Sequence, residues 1–132
     1  MDMNKITSGT IEMAWNSETR LAFMRFESDT RTTGKDAVVL IDALTRWIGT
    51  DNTPFGLLGD GGRLAGLDAE YRSLWGKFFQ QHREACYIAF FNMGPIIRIA
   101  AEMFRVGTGV RMKAFADEIE ARSWLRAMGI EA

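Results

Sequence analysis

The feature that most constrains the fold is the alternation of short apolar runs with longer amphipathic segments along residues 21–128. Short apolar runs are typical of buried strands, whereas apolar residues at a 3.6-residue period indicate helices. The connections between these segments are short, and no linker divides the chain. Strands that alternate with helices favour a sheet with parallel strands. The sequence therefore predicts a single α/β domain.

Five segments have the composition of strands, namely residues 10–15, 21–26, 55–58, 85–91 and 110–115. The first alternates Ile11, Met13 and Trp15 with Glu12 and Ala14, so it has one buried face. A short turn joins it to the second, which predicts an antiparallel hairpin. The third and fourth are apolar throughout, as expected of covered strands. The fifth carries charges at alternate positions and is predicted to lie at a sheet edge.

Four segments have apolar residues at helical spacing, and they begin near Thr33, Asp68, Pro95 and Asp117. Thr33 and Asp117 are residue types that cap helices, and each has an acid three positions on. The second helix has the clearest apolar stripe, Tyr71, Leu74, Trp75, Phe78 and Phe79. The third is defined by Ile96, Ile97, Ala100, Met103 and Phe104. These stripes predict helices that pack on a sheet.

The predicted order of elements is β-β-α-β-α-β-α-β-α. It contains three strand–helix–strand crossovers, which are expected to be right-handed and to leave their strands parallel. The expected fold is a five-stranded mixed sheet with four helices. Residues 10–132 form the predicted domain, and the polar residues 1–9 are expected to be loose.

Composition and single residues exclude several classes of function. The formal net charge is -1, which predicts no broad attraction to nucleic acid or to an anionic membrane. No apolar run is long enough to enter and cross a bilayer, and no signal peptide is visible, so a cytoplasmic chain is expected. His82 is the only histidine and Cys86 the only cysteine, which predicts no disulfide, metal cluster or bound cofactor. No nucleophile and base can be paired, so the sequence predicts a non-enzyme.

The turn at residues 59–66 is the best-placed functional surface, because ligands bind beyond the carboxyl ends of strands in open α/β sheets. Its glycines match neither G-x-x-x-x-G-K-[ST] nor G-x-G-x-x-G. They are expected to supply turn geometry, although Arg63 and the free amides could hold an anion at the following helix. The turn therefore predicts a contact surface rather than a nucleotide site.

The order of elements, together with the ending Phe115-x-x-x-x-x-Ala121-x-x-Trp124-Leu125, resembles the STAS-like superfamily. The best-known members are bacterial anti-sigma-factor antagonists. The resemblance is to a divergent branch that is also compared with Sec14-type lipid-binding folds. It covers the chain from Ile11 to Met128 and implies a STAS-like fold, with regulation through protein binding.

The resemblance also bears on a phosphorylation switch. In antagonist members a strand ends in Asp, and a Ser or Thr at the start of the next helix is phosphorylated by the partner kinase. Asp60 matches the strand-end Asp, but residues 61–72 contain no Ser or Thr. Asp68 stands about where the hydroxyl would be, either as a helix cap or as a permanent negative charge. The switch is therefore predicted to be absent.

These inferences predict a non-catalytic STAS-like interaction module whose partner is a protein or a second copy of the chain. The predicted partner-binding residues are Asp60, Gly61, Gly62, Arg63, Asp68 and Arg72. An alternative is a carrier or sensor of a small apolar, lipid-like ligand held between helices and sheet. Gly76 and the large side chains on the sheet-facing helices, such as Trp75 and Phe104, support this alternative only if their packing leaves a gap.

Overall fold

The structure is a computed structural model that describes residues 3–132. Its elements, in chain order, are β1 (Met3–Ser8), β2 (Ile11–Asn16), β3 (Leu21–Phe26), β4 (Thr30–Thr32), α1 (Gly34–Ile48), β5 (Phe55–Asp60), β6 (Leu64–Leu67), α2 (Ala69–Gln81), β7 (Cys86–Phe91), α3 (Pro95–Thr108), β8 (Met112–Phe115) and α4 (Glu118–Ala127). None of the helices within the described residues is long and apolar enough to cross a membrane.

The main sheet has six strands in the order β1-β2-β3-β5-β7-β8. The strands β1, β2 and β3 are antiparallel, and every later pair in the sheet is parallel. The predicted hairpin, the parallel crossovers and the edge position of the last strand are therefore confirmed. The number of strands is not, because the prediction of five omitted β1.

Strand β1 lies in the segment that was predicted to be loose. It pairs with β2 over its whole length, from Met3↔Asn16 to Ser8↔Ile11. Gly9 makes the turn between them with a positive φ of 59°, which glycine adopts without strain. For residues 3–8 the expectation was wrong, because an edge strand is held by backbone hydrogen bonds as much as by burial and can form from a mostly polar segment. Residues 1 and 2 lie outside the described residues.

The sheet is covered on both faces. The larger core lies under α1, α2 and α3 and includes Trp15, Leu40 and Trp75. The smaller core lies under α4 and includes Leu58 and Leu125. Three right-handed crossovers that run in one direction along the sheet place their helices on the same face, which leaves α4 alone on the other.

A second, two-stranded sheet joins β4 and β6 in parallel. Both strands fall in segments that the sequence indicated as connections, and β6 begins inside the turn predicted at residues 59–66. Because β4 has three residues and β6 has four, neither has a period that could be recognised in the sequence. Their pairing fixes the chain beyond the ends of β3 and β5.

The helix α3 packs differently from its predicted stripe. Ile97 is buried, but Ile96 is 80% exposed and Met103 is 70% exposed. The five residues that define the helix in the sequence therefore belong to two faces, one turned to the sheet and one to solvent.

Candidate functional site

The candidate site is the segment of residues 60–68, called here the site loop, which connects the end of β5 to the start of α2. It lies at the carboxyl end of the parallel strands, beside the residues 92–94 that connect β7 to α3. The position is the one expected for a ligand or partner surface in an open α/β sheet.

The first part of the site loop is fixed to the sheet. The Gly61 N–H donates to the carbonyl of Phe91 at 2.8 Å, and the Gly62 N–H donates to Asp60 Oδ1 at 3.0 Å. Gly61 is buried, and a Cβ at that position would lie 2.4 Å from Cγ of Met93. Asp60 is only half-buried rather than exposed, and its carboxylate holds the turn. Both residues therefore shape the loop from within.

The second part is held by the small sheet. The Thr30 N–H donates to the carbonyl of Arg63 at 2.9 Å, and Thr32 Oγ1 donates to the carbonyl of Gly66 at 3.3 Å. Leu64 is buried in the larger core. These contacts hold the backbone of the loop against the rest of the fold.

The helix α2 begins with the cap that the sequence allowed. The Tyr71 N–H donates to Asp68 Oδ1 at 2.7 Å, and Asp68 has extended backbone angles. This is N-cap geometry, in which a carboxylate satisfies a free amide and interacts favourably with the helix dipole. One Asp68 oxygen is therefore committed to the fold, while the side chain as a whole is exposed.

The six predicted site residues lie together in the site loop and the first turn of α2. Gly62, Arg63, Asp68 and Arg72 are exposed, Gly61 is buried, and Asp60, which was expected to be an exposed contact, is half-buried. Within residues 3–132 no carboxylate lies in salt-bridge distance of Arg63 or Arg72. Two cations without an ion-pair partner among those residues therefore lie at the site loop and the first turn of α2.

The sequence analysis missed Arg31, which the small sheet brings to the same surface. Its Nη1 would lie 3.1 Å from a Cβ built on Gly66, so the guanidinium covers the loop. The only signal was the alternation of Thr30, Arg31 and Thr32, in which the threonines are buried and Arg31 is exposed. Three residues are too few for that alternation to predict a strand.

An apolar cavity of about 60 Å³ lies beneath the site loop, between the sheet, α2 and α3. Leu64, Trp75, Met93 and Phe104 are among its lining residues. The Trp75 Nε1 atom is buried and has no hydrogen-bond partner within the described residues. The nearby Tyr71 hydroxyl donates to Sδ of Met24 at 3.8 Å.

The groups that could carry out chemistry are buried or isolated. Burial raises the pKa of the Cys86 thiol, which disfavours the thiolate that a nucleophile needs. Burial also raises the pKa of the Tyr71 hydroxyl. Among residues 3–132 no three His, Cys, Asp or Glu side chains are grouped as metal ligands would be. The site can offer charged side chains and shape to a partner.

No protein-family model matches the chain, and no curated protein matches its sequence. Solved structures do match. Apo-SiaC from Pseudomonas aeruginosa superposes with a TM-score of 0.63 at 15% identity, covering 88% of this chain and 100% of that one. A second structure of SiaC from the same organism gives 0.59 at 14% identity, with 87% and 100% covered.

The third similar structure is the murine anion transporter Slc26a9, Solute Carrier 26 family member A9, in its inward-facing state. The TM-score is 0.60 at 13% identity, and the match covers 96% of this chain but only 22% of the transporter. At such low identity the likeness concerns the fold alone. The chain has a STAS-like α/β fold with four helices and a mixed sheet, as the resemblance in its sequence implied.

Proposed function

We propose that the chain is a non-catalytic, regulatory interaction module that binds a protein partner through the site loop and the start of α2. The contact residues are Gly62, Arg63, Asp68 and Arg72, supported by Asp60 and Gly61, which hold the loop in shape. No Ser or Thr occupies residues 61–72, so binding is not switched by phosphorylation there.

The observation that carries this proposal is that a hydrogen-bonded loop and the helix start after it bear two arginines without an ion-pair partner in the described chain. The hydrogen bonds described above hold the backbone of the site loop. Arg63 and Arg72, in contrast, have no ion-pair partner within residues 3–132. A surface whose conformation is set in advance loses little entropy when a partner binds. Charged groups at such a surface guide association and select the partner.

The fold supports a regulatory role. SiaC and the matched part of Slc26a9 have the same architecture, and the STAS-like resemblance implies regulation through protein contacts. A homodimer and a cytoplasmic location stay predictions from the sequence.

The alternative, a carrier of a lipid-like ligand, is supported by the apolar cavity beneath the site loop. Its volume of about 60 Å³ is small. Sites for drug-sized molecules have volumes of roughly 300–1,000 Å³. A lipid-like ligand would have to displace side chains such as Phe104 and Met93, and for this reason we favour protein binding.

The proposal can be tested with a charge reversal at the site loop. Tagged wild-type protein and the variant Arg63→Glu are used to recover partners from the source lysate, with quantitative mass spectrometry as the readout. The control is Arg46→Glu, which makes the same charge change in the last turn of α1. That turn lies at the other end of the sheet from the site loop. Circular dichroism checks that both variants fold.

We expect a protein that is recovered by the wild type and by Arg46→Glu, and about tenfold less by Arg63→Glu, because like-charge contact at a rim costs about 1.4 kcal/mol or more. Equal recovery by both variants, or no enriched protein, would contradict the proposal. Native mass spectrometry that shows a bound small molecule would instead support the carrier.

A further inference from the structure

The helix α3 exposes an apolar face that the fold does not cover. The exposed fractions are 80% for Ile96, 63% for Ile99, 70% for Met103 and 69% for Val106. The large hydrophobic residues that are exposed elsewhere in the described chain, Val38, Ile119 and Met128, lie on other elements. A contiguous exposed apolar patch of this kind marks an interaction surface more often than scattered single residues do.

The four residues form a narrow stripe. Their spacing of three, four and three positions places them along one side of the helix, as in the seam of two packed helices. The opposite side of α3 is occupied, since Ile97 is buried and Phe104 contacts Phe79 with ring centroids 6.2 Å apart. The stripe, called here the α3 ridge, therefore stands outside the core.

The α3 ridge is bordered by two grooves. The groove towards β8 has a volume of about 520 Å³, and the groove towards α2 has a volume of about 440 Å³. Their charged lining residues are Arg98, Glu102, Arg105 and Lys113 on the β8 side, and Arg72 and Lys77 on the α2 side. The single carboxylate, Glu102, is already paired with Arg105. The surroundings of the ridge are therefore positive, although the chain as a whole has a net charge of -1.

These charges decide between possible occupants. A second copy packed through its own ridge would bring like charges together, which is destabilising. A membrane-surface helix has a broad apolar face with Trp or Phe, whereas the α3 ridge is narrow and its exposed residues are aliphatic. An amphipathic helix with acidic residues on both sides of its apolar seam matches both the spacing and the charge.

We propose that the α3 ridge binds an acidic amphipathic helix of a partner protein. This inference rests on the proposed function, because it gives the chemistry of the protein that the site loop contacts. The two surfaces are adjacent: α3 begins directly after residues 92–94, and in that connection Met93 packs on Gly61 and Asn92 lies beside Gly62. One partner can therefore contact both surfaces.

The test uses a designed peptide of 22 residues as the probe. It carries Leu at the seam positions and Glu at the positions that flank the seam, where the like charges keep it from pairing with itself. A matched peptide has Lys in place of Glu. Binding is measured by fluorescence anisotropy for the wild type and for the double variant Ile99→Gln, Met103→Gln. The control is Val38→Gln, Ile119→Gln, which removes exposed apolar residues from α1 and α4.

We expect the acidic peptide to bind the wild type and the control equally, and to bind the ridge variant at least tenfold more weakly. The basic peptide is expected to bind the wild type at least tenfold more weakly than the acidic one, and added salt to weaken acidic-peptide binding. Equal binding of the two peptides, or an unchanged Kd in the ridge variant, would overturn the inference.

Two further outcomes would also overturn it. One is binding of the wild type, but not the ridge variant, to vesicles of 30% phosphatidylglycerol with no binding of the acidic peptide. The other is a dimer in sedimentation that the ridge variant dissolves. The lysate experiment separates this inference from the proposed function. A partner that Arg63→Glu loses but the ridge variant still recovers would support binding through the site loop. It would contradict binding through the α3 ridge.

Discussion

The helices α2 and α3 are neighbours on the same face of the sheet, but they use their apolar residues differently. In α2 the large residues Tyr71, Trp75, Phe78 and Phe79 are all buried. The ring of Trp75 is stacked on that of Phe79 with centroids 5.1 Å apart. In α3 only Ile97 is buried, and four aliphatic residues face solvent.

The difference shows that an apolar stripe in the sequence does not reveal whether the stripe is buried by the chain's own sheet. The stripe of α2 is covered by its own sheet. The α3 ridge is turned away from the sheet, and nothing in the described chain covers it. Burying such residues within the fold would have been worth roughly 1.5–3 kcal/mol for each large aliphatic side chain. Their exposure therefore has a cost that binding can recover.

The largest expected effect is the difference in unfolding free energy between a variant in α2 and a variant in α3. Trp75→Ala in α2 should lower the free energy of unfolding by about 3–5 kcal/mol, because it leaves a cavity in the aromatic cluster. Met103→Ala in α3 should change it by less than about 0.5 kcal/mol, because Met103 contacts mainly solvent. Urea unfolding of the two variants measures both values. Similar losses in both would show that the ridge is packed.

The next effect concerns the way in which the helices end. Arg20 donates from Nη2 to the carbonyl of Ile48 at 2.9 Å and to that of Thr53 at 3.2 Å, and so holds the end of α1. The end of α3 is held only from within its own turn, by the Gly109 N–H on the carbonyl of Arg105 and by Thr108 Oγ1 on that of Phe104. We expect Arg20→Ala to cost about 1.5–3 kcal/mol of unfolding free energy in denaturant melts. Arg126→Ala, an exposed control in α4, should cost much less, and an equal cost would contradict this role.

A smaller effect of opposite sign is expected where α2 meets α3. A Cβ at Gly76 would lie 3.5 Å from Thr108 Cγ2 and 3.6 Å from Phe104 Cε1, which are ordinary contacts. Gly76→Ala should therefore raise the free energy of unfolding by up to about 1 kcal/mol through helix propensity. The shift of the thermal midpoint relative to the wild type gives the sign of this change in stability. A loss of stability would mean that α3 lies closer to α2 than the structure shows.

The smallest effect is a pH dependence at the end of α2. His82 packs on Phe78 with ring centroids 4.5 Å apart, and burial lowers the pKa of its imidazole. The unfolded chain therefore binds the His82 proton more strongly than the folded chain, and this contribution to stability is lost as pH falls through about 6.5. The variant His82→Gln should show a flatter change in urea midpoint between pH 7.5 and pH 5.5. If the urea midpoint of His82→Gln changed with pH as much as that of the wild type, the pH dependence would belong to other groups.

Much of the fold could be predicted because its signals are local. Thr33 caps α1 as predicted, and Asp36 completes a capping box with it. The capping box expected at Asp117 and Glu120 is only half formed, because Asp117 accepts from the Glu120 N–H with no reciprocal bond. The central strands are apolar along their length, so β5 and β7 were visible in the sequence. The strand β1 was not, because it is mostly polar, and β4 and β6 were not, because they are short and pair with each other from distant parts of the chain.

The sequence indicated which segment forms the site loop but not its detailed geometry, and the role of that loop as a binding site stays a prediction. The glycines of the turn and the N-cap at Asp68 identified where a surface should form. The burial of Gly61 under Met93 and the arrival of Arg31 depend on contacts between segments that are far apart in sequence. For the same reason the helical period of α3 could not distinguish the buried Ile97 from the exposed Ile96.

The most direct test of the account is photo-crosslinking of the full chain in its source cells. A photoreactive amino acid is placed at position 63 in the site loop or at position 103 in the α3 ridge, with positions 38 and 119 as exposed controls. The account predicts that positions 63 and 103 crosslink to the same protein and that the controls do not. Crosslinks to different proteins, or equal crosslinking from all four positions, would contradict a shared partner surface.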